Sequence, residues 1–136
     1  MHPSGPAVLA SDQQERLGHQ MPLIAIGARL RAICLKLPEA TEELMRRGPS
    51  YRVADKIFAL ERSRNDGLAL WCKVPAGSRE IFIGAEPGRF FIPPYFGAKG
   101  WIGVGLDEAA DWLEIESFIR RSYRLVAPAR LANLMV

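Results

Sequence analysis

The amino-acid sequence predicts an α+β domain, one antiparallel sheet of about four strands with helices packed mainly on one face. Three observations carry this. Apolar residues recur at helical spacing over 23–37 and again after 111. Between them, 50–74 and 100–106 alternate with a period of two. Finally, 136 residues, of which 49% are hydrophobic and 24% charged, fit one domain that buries a core without disulfides or metal.

The elements follow in order. Ile26, Leu30, Ile33, Cys34 and Leu37 form the apolar stripe of a helix over 23–37, with Arg29, Arg31 and Lys36 interleaved. Pro38 ends it, because proline disfavours helical geometry in the residue before it. A short helix is expected from Thr41 to Arg46, capped by Thr41 and closed by Gly48-Pro49. Strands are expected over Ser50–Val53, Lys56–Arg62 and Leu68–Val74. Asn65-Asp66-Gly67 tolerates the positive φ of a hairpin turn, which makes an antiparallel meander the natural reading. A helix over Ser78–Ala85, capped by Ser78, turns Ile81 and Phe82 inward, and Pro87, Gly88, Pro93 and Pro94 then break the chain. Gly100–Leu106 is the fourth strand. Asp111 and Glu114 have capping-box spacing and open a helix that buries Trp112, Ile115, Phe118, Ile119 and Tyr123. Pro128 fits the first turn of a final short helix reaching Leu134. Residues 1–20 lack periodicity and read as a flexible N-terminal tail, leaving 21–136 as the single folded domain.

Composition narrows the function. The net charge of +3 is mild, and the positive charge sits in the first half and middle, over 23–106, instead of in a tail. It permits nucleic-acid binding without demanding it. Cys34 and Cys72, far apart in apolar stretches, read as buried thiols of a reducing compartment. With no membrane-length apolar run and no leader pattern, a cytoplasmic protein is expected, with no membrane partner. His2 and His19, the two histidines, lie in the tail, so no nucleophile–histidine pair is in view and no enzyme is expected. No ligand spacing suggests a metal, and no cofactor is expected. The acids at Glu39, Glu42 and Glu43 are interspersed with Arg46 and Arg47, whereas those at Asp107, Glu108, Asp111, Glu114 and Glu116 suit a helix N-terminus.

Three stretches, GPSYRVADKIFAL at 48–60, RFFIPPYFGAKGWIGVGL at 89–106 and SYRLVAPARL at 122–131, resemble the MmcQ/YjbR family in content, order and spacing. The most specific piece is Pro93, Pro94, Tyr95, Gly97, Gly100 and Trp101. The resemblance implies a frataxin-like (CyaY-like) fold and a "double wing" shape associated with DNA binding. It brings no catalytic residues.

Alternation also selects a candidate site. Leu68, Leu70, Cys72 and Val74 point one way, with Phe58 and Leu60 joining them in the core. The opposite face then shows Arg52, Ile57, Ala59, Glu61, Ala69, Trp71 and Lys73, next to Trp101, Gly103 and Gly105 of the last strand. The two glycines leave room above the sheet for another backbone or a large side chain. If open, this face presents two indoles, with Lys56, Arg62, Arg64 and Lys99 at the turns. Three readings stand side by side: bases stacking on the indoles with phosphates on the cations, a protein or homodimer interface (or a small-ligand site), and plain packing beneath the loop at 87–100.

Overall fold

The computed structural model describes residues 23–107 and 109–135; the expected tail at 1–20 lies outside the described residues. The described chain opens in helix α1 over 23–35. There follow β1 (Thr41–Met45), β2 (Gly48–Val53), β3 (Lys56–Arg64), β4 (Gly67–Lys73), α2 (Ser78–Ala85) and β5 (Phe90–Phe91). A 3-10 turn (Phe96–Lys99) leads into β6 (Trp101–Leu106), and α3 (Trp112–Val126) and α4 (Ala129–Ala132) complete the fold. The strands form one antiparallel sheet in the order β1-β2-β3-β4-β6-β5.

The sheet therefore has six strands where the sequence suggested about four. One addition is β1, expected as a helix. Glu, Leu and Met are good helix formers, but here tertiary contacts override propensity. Glu42 meets Arg31 of α1 at 3.0 Å, and Glu43 meets Arg52 of β2 at 2.9 Å. The ladder that β1 makes with β2, five residue pairs from Thr41–Arg52 to Met45–Gly48, holds the segment extended, and the two ion pairs add to it. The other addition is β5, two residues paired with Val104 and Gly103. The cap of α2 also differs: Gly77, at φ 87, takes the N-cap position, and Ser78 instead donates from Oγ to Pro75 O at 2.6 Å. At α3, Asp111 caps as expected, accepting from the amides of Leu113 and Glu114.

The main core lies between the sheet and the helices. Ile26, Leu30, Cys34 and Leu37 of the first helical segment meet Tyr51, Phe58, Leu70, Cys72 and Ile102, and α3 adds Ile115, Phe118, Ile119 and Tyr123. Trp112 is only partly buried and lies under the Arg29 guanidinium, 4.9 Å from its ring. Tyr123 packs edge-on to Phe58 and donates its hydroxyl to Pro38 O at 2.6 Å.

An irregularity in β3 decides which side chains share a face. Tyr51 pairs with Ala59 but Arg52 pairs with Ile57, so Phe58 is an extra residue, a β-bulge. A one-residue slip moves every following side chain to the other face. Leu60, expected in the helix-side core, instead sits opposite Trp71 in the second cluster. Ala59 and Glu61, expected beside Trp71, pair with Cys72 and Leu70 on the helix side. The bulge is closed by a buried serine of α3. Ser122 Oγ donates to Phe58 O at 2.6 Å and accepts from the Lys73 amide at 2.9 Å.

Candidate functional site

The second face of the sheet is closed. Trp71 is 9% exposed and Trp101 is 5% exposed. They form a small core with Leu60 and Ala69, against which Ile57, Phe91 and Phe96 pack. The open aromatic face considered from the sequence is thus corrected to a covered one, roofed by the chain between β5 and β6. The glycines explain why. A Cβ on Gly103 would lie 2.3 Å from Phe91 Cζ, and one on Gly105 would lie 2.9 Å from Arg64 Nη1. The bare strand admits a ring at one position and a guanidinium at the other. Gly103→Ala is expected to destabilise the protein by about 1–3 kcal/mol, since the ring that must move is packed. Denaturant unfolding measures this loss.

Two cations proposed for the site serve this roof instead. Arg62 is buried, donates to Glu61 O at 2.8 Å and Pro49 O at 3.3 Å, and lies 5.8 Å over the Trp71 ring. Burial pushes its guanidinium pKa down. Arg64 stacks 4.0 Å above Phe91 and donates to Gly88 O and Arg89 O. With their donors on backbone carbonyls and their faces on rings, Arg62 and Arg64 act as clips.

The other predicted residues converge. Arg52, Lys56, Lys73, Lys99 and Trp101 line one cleft of about 440 Å³, together with Asp55, Ile57, Phe96, Leu125 and Val126. Several separate elements place them. The β2–β3 turn is Ala54-Asp55, both at positive φ (49° and 65°), which matches the twist of a two-residue hairpin. It carries Arg52, Asp55 and Lys56. Lys73 ends β4, where Ser122 holds its amide. Lys99 and Phe96 come from the 3-10 turn, anchored by Arg79 of α2, which donates to Gly97 O at 2.5 Å and Trp101 O at 3.3 Å. Leu125 and Val126 supply an apolar rim from the end of α3.

Four cations thus face one carboxylate, Asp55. Arg52 is partly matched by Glu43 at 2.9 Å, although its buried Nε–H is not aimed well enough for a hydrogen bond. Among the described residues no carboxylate pairs with Lys56, Lys73 or Lys99; the Lys99 ammonium instead lies 5.0 Å from the Tyr95 ring and 5.4 Å from that of Phe96. Sequence reasoning missed Asp55, Phe96 and Ser122. The first two adjoin residues already chosen. Ser122 stands in the apolar register of α3, between Ile119 and Tyr123, where a polar residue signals a buried partner.

The first acidic cluster is distributed over arginines: Glu39 with Arg130, Glu42 with Arg31 and Glu43 with Arg52. No group of three His, Cys, Asp or Glu suited to a metal occurs among the described residues. A second cavity, of about 390 Å³, holds Glu42, Glu61, Tyr51 and Arg31 beneath α1. Burial first, then the Glu42 charge, raises the Glu61 pKa above its ordinary 4.5. The sign follows: a carboxyl raised on folding favours the native state while protonated, and that contribution is lost as pH rises from about 4.5 through the native value. Glu61→Gln is therefore expected to raise the neutral-pH melting temperature relative to wild type, with the difference shrinking below pH 4.5. Melting curves across pH 3–8 test this; equal shifts at all pH values contradict it. Cys34 and Cys72 are buried free thiols, and burial pushes Cys72 up to about 12.

A six-stranded antiparallel sheet with helices on one face, a glycine-admitted aromatic roof on the other and a cationic cleft beside that roof define the class of domain. The chain belongs to the YjbR family, whose model matches residues 35–125. It is also similar to the crystal structure of Deinococcus radiodurans protein DR2400, with the family-model domain DUF419, at 25% identity and a TM-score of 0.63 over 71% of this chain and 74% of that one. Comparison with curated proteins gave no match. No helix among the described residues is long and apolar enough to cross a membrane.

Proposed function

We propose that this chain is a non-catalytic nucleic-acid-binding protein, with DNA as the first ligand to test, and that it holds phosphates in the cleft at the β2–β3 turn. One observation carries the reading: Arg52, Lys56, Lys73 and Lys99, from three separate parts of the chain, converge on one cleft with a single carboxylate. Such convergence is costly in self-repulsion and is relieved by a polyanion, whose displaced counterions supply the binding free energy. The buried indoles take no part in stacking; their role is to support Phe96 and Lys99. The two buried free thiols suit a cytoplasmic setting.

The concavity of the cleft favours a second reading, a small anionic ligand in place of a polymer. Fluorescence anisotropy with labelled DNA, titrated with salt, separates the two. Nucleic-acid binding predicts a dissociation constant in the micromolar range or weaker that rises steeply with salt. No anisotropy change with any DNA or RNA at low salt rules the first reading out.

A further inference from the structure

We infer that Tyr95 is a base-stacking residue beside the cleft, and that the occupant is single-stranded nucleic acid; this rests on the nucleic-acid reading above. Tyr95 is 76% exposed, the one aromatic among the exposed large hydrophobics of the described residues. Its exposure is imposed by the backbone. Tyr95 has φ 66 and ψ −58, and the Phe96 amide donates across it to Pro94 O at 2.6 Å, a γ-turn of the rare, strained hand. Neighbouring contacts hold the turn in place. The Gly97 amide donates to Pro93 O at 2.8 Å, Arg79 grips Gly97 O, and a Cβ on Gly97 would lie 2.3 Å from Ile92 Cγ2. A segment held this firmly in a strained conformation presents a ring to solvent, where it contributes little to packing. Strain of this kind gathers at ligand-contacting sites.

The surroundings of the ring specify the ligand. Tyr95 stands edge-on to Phe96, with ring centroids 5.4 Å apart, and Phe96 lines the cleft. The Lys99 ammonium lies 5.0 Å from the Tyr95 ring and also lines the cleft. A flat π face next to phosphate-binding cations is the combination that holds an unpaired nucleotide, base on ring and phosphate on ammonium. A duplex keeps its base faces stacked within itself and offers Tyr95 nothing. Because Trp71 and Trp101 are covered, the platform is short and serves one base at a time.

The experiment uses the full chain, a fluorescein-labelled oligo-dT and a duplex of equal length. Tyr95→Ala should weaken oligo-dT binding by about 5- to 100-fold, leave its salt slope unchanged and leave duplex binding unaffected, while Tyr95→Phe retains wild-type affinity. Tyr95→Gly separates ring loss from misfolding: glycine accepts positive φ, so the melting temperature should rise while oligo-dT affinity falls as in the alanine variant. Unchanged oligo-dT affinity in Tyr95→Ala, or a wild type that binds duplex at least as tightly as oligo-dT, overturns the inference. If Lys56→Ala and Lys73→Ala still weaken binding in those cases, phosphate recognition by the cleft stands without Tyr95. Failure of wild type to bind either probe removes both.

Discussion

Ser122→Ala is expected to destabilise the protein by about 2–6 kcal/mol, a large effect for the loss of one atom. The bulge at Phe58 takes that residue out of register with β2, and the β3–β4 pairing ends at Ala59–Cys72. Phe58 O and the Lys73 amide are satisfied instead by the one hydroxyl of Ser122, which is fully buried. Alanine fits the space but leaves a donor and an acceptor without partners, each costing about 1–3 kcal/mol. The melting temperature should fall by on the order of 10 °C. Hydrogen exchange gives the local readout: the Lys73 amide should lose protection more than the amides of α3. A melting temperature within a degree or two of wild type would mean that water or a strand shift replaces the hydroxyl. Since Lys73 lines the cleft, the same bond also fixes the backbone at one of the cleft's cations.

The largest effect on binding is expected from Lys56→Ala combined with Lys73→Ala. Both line the cleft, and no carboxylate among the described residues pairs with either. If both contact phosphates, their loss lowers the slope of log affinity against log salt by about 2. The affinity should fall by at least about a hundred-fold at low salt, from roughly 1.5–3 kcal/mol for each charged hydrogen bond. Arg62→Ala is the informative contrast. Arg62 clips the roof with its donors on carbonyls, so its loss should lower stability and leave the salt slope nearly intact. A double lysine variant with wild-type slope, or an Arg62 variant that lowers it by one, assigns the phosphates elsewhere.

Much of this arrangement was legible in the chain, for physical reasons that differ between parts. Alternation located β2, β3, β4 and β6, and the Asp111–Glu114 spacing located the start of α3, because these signals are local. The edge strand β1 was not legible: Thr41-Glu-Glu-Leu-Met favours helix, and its strand state comes from pairing with β2, with Arg31 and Arg52 meeting its carboxylates. Within β3 the faces were legible only up to Phe58, because a bulge leaves no mark in composition and inverts the parity beyond it, whereas alternation assigned the faces of β4 and β6 correctly. Arg52, Lys56, Lys73, Lys99 and Trp101 could be chosen because they flank one face or its turns. Arg62 and Arg64 met the same criterion, and only the rings beneath them, Trp71 and Phe91, show them to be clips. The two glycines of β6 were readable as an opening, although what enters it, Phe91 and Arg64, required the fold.

The central claim is that one cleft receives the nucleic acid. Amide chemical-shift mapping of the full chain against a short oligo-dT tests it most directly. The account predicts shifts concentrated at residues 52–57, 73 and 95–101, with the outer face of α3 around Arg121 and Arg124 silent. Shifts concentrated on α3, or no residue-specific shifts at saturating ligand, would contradict it.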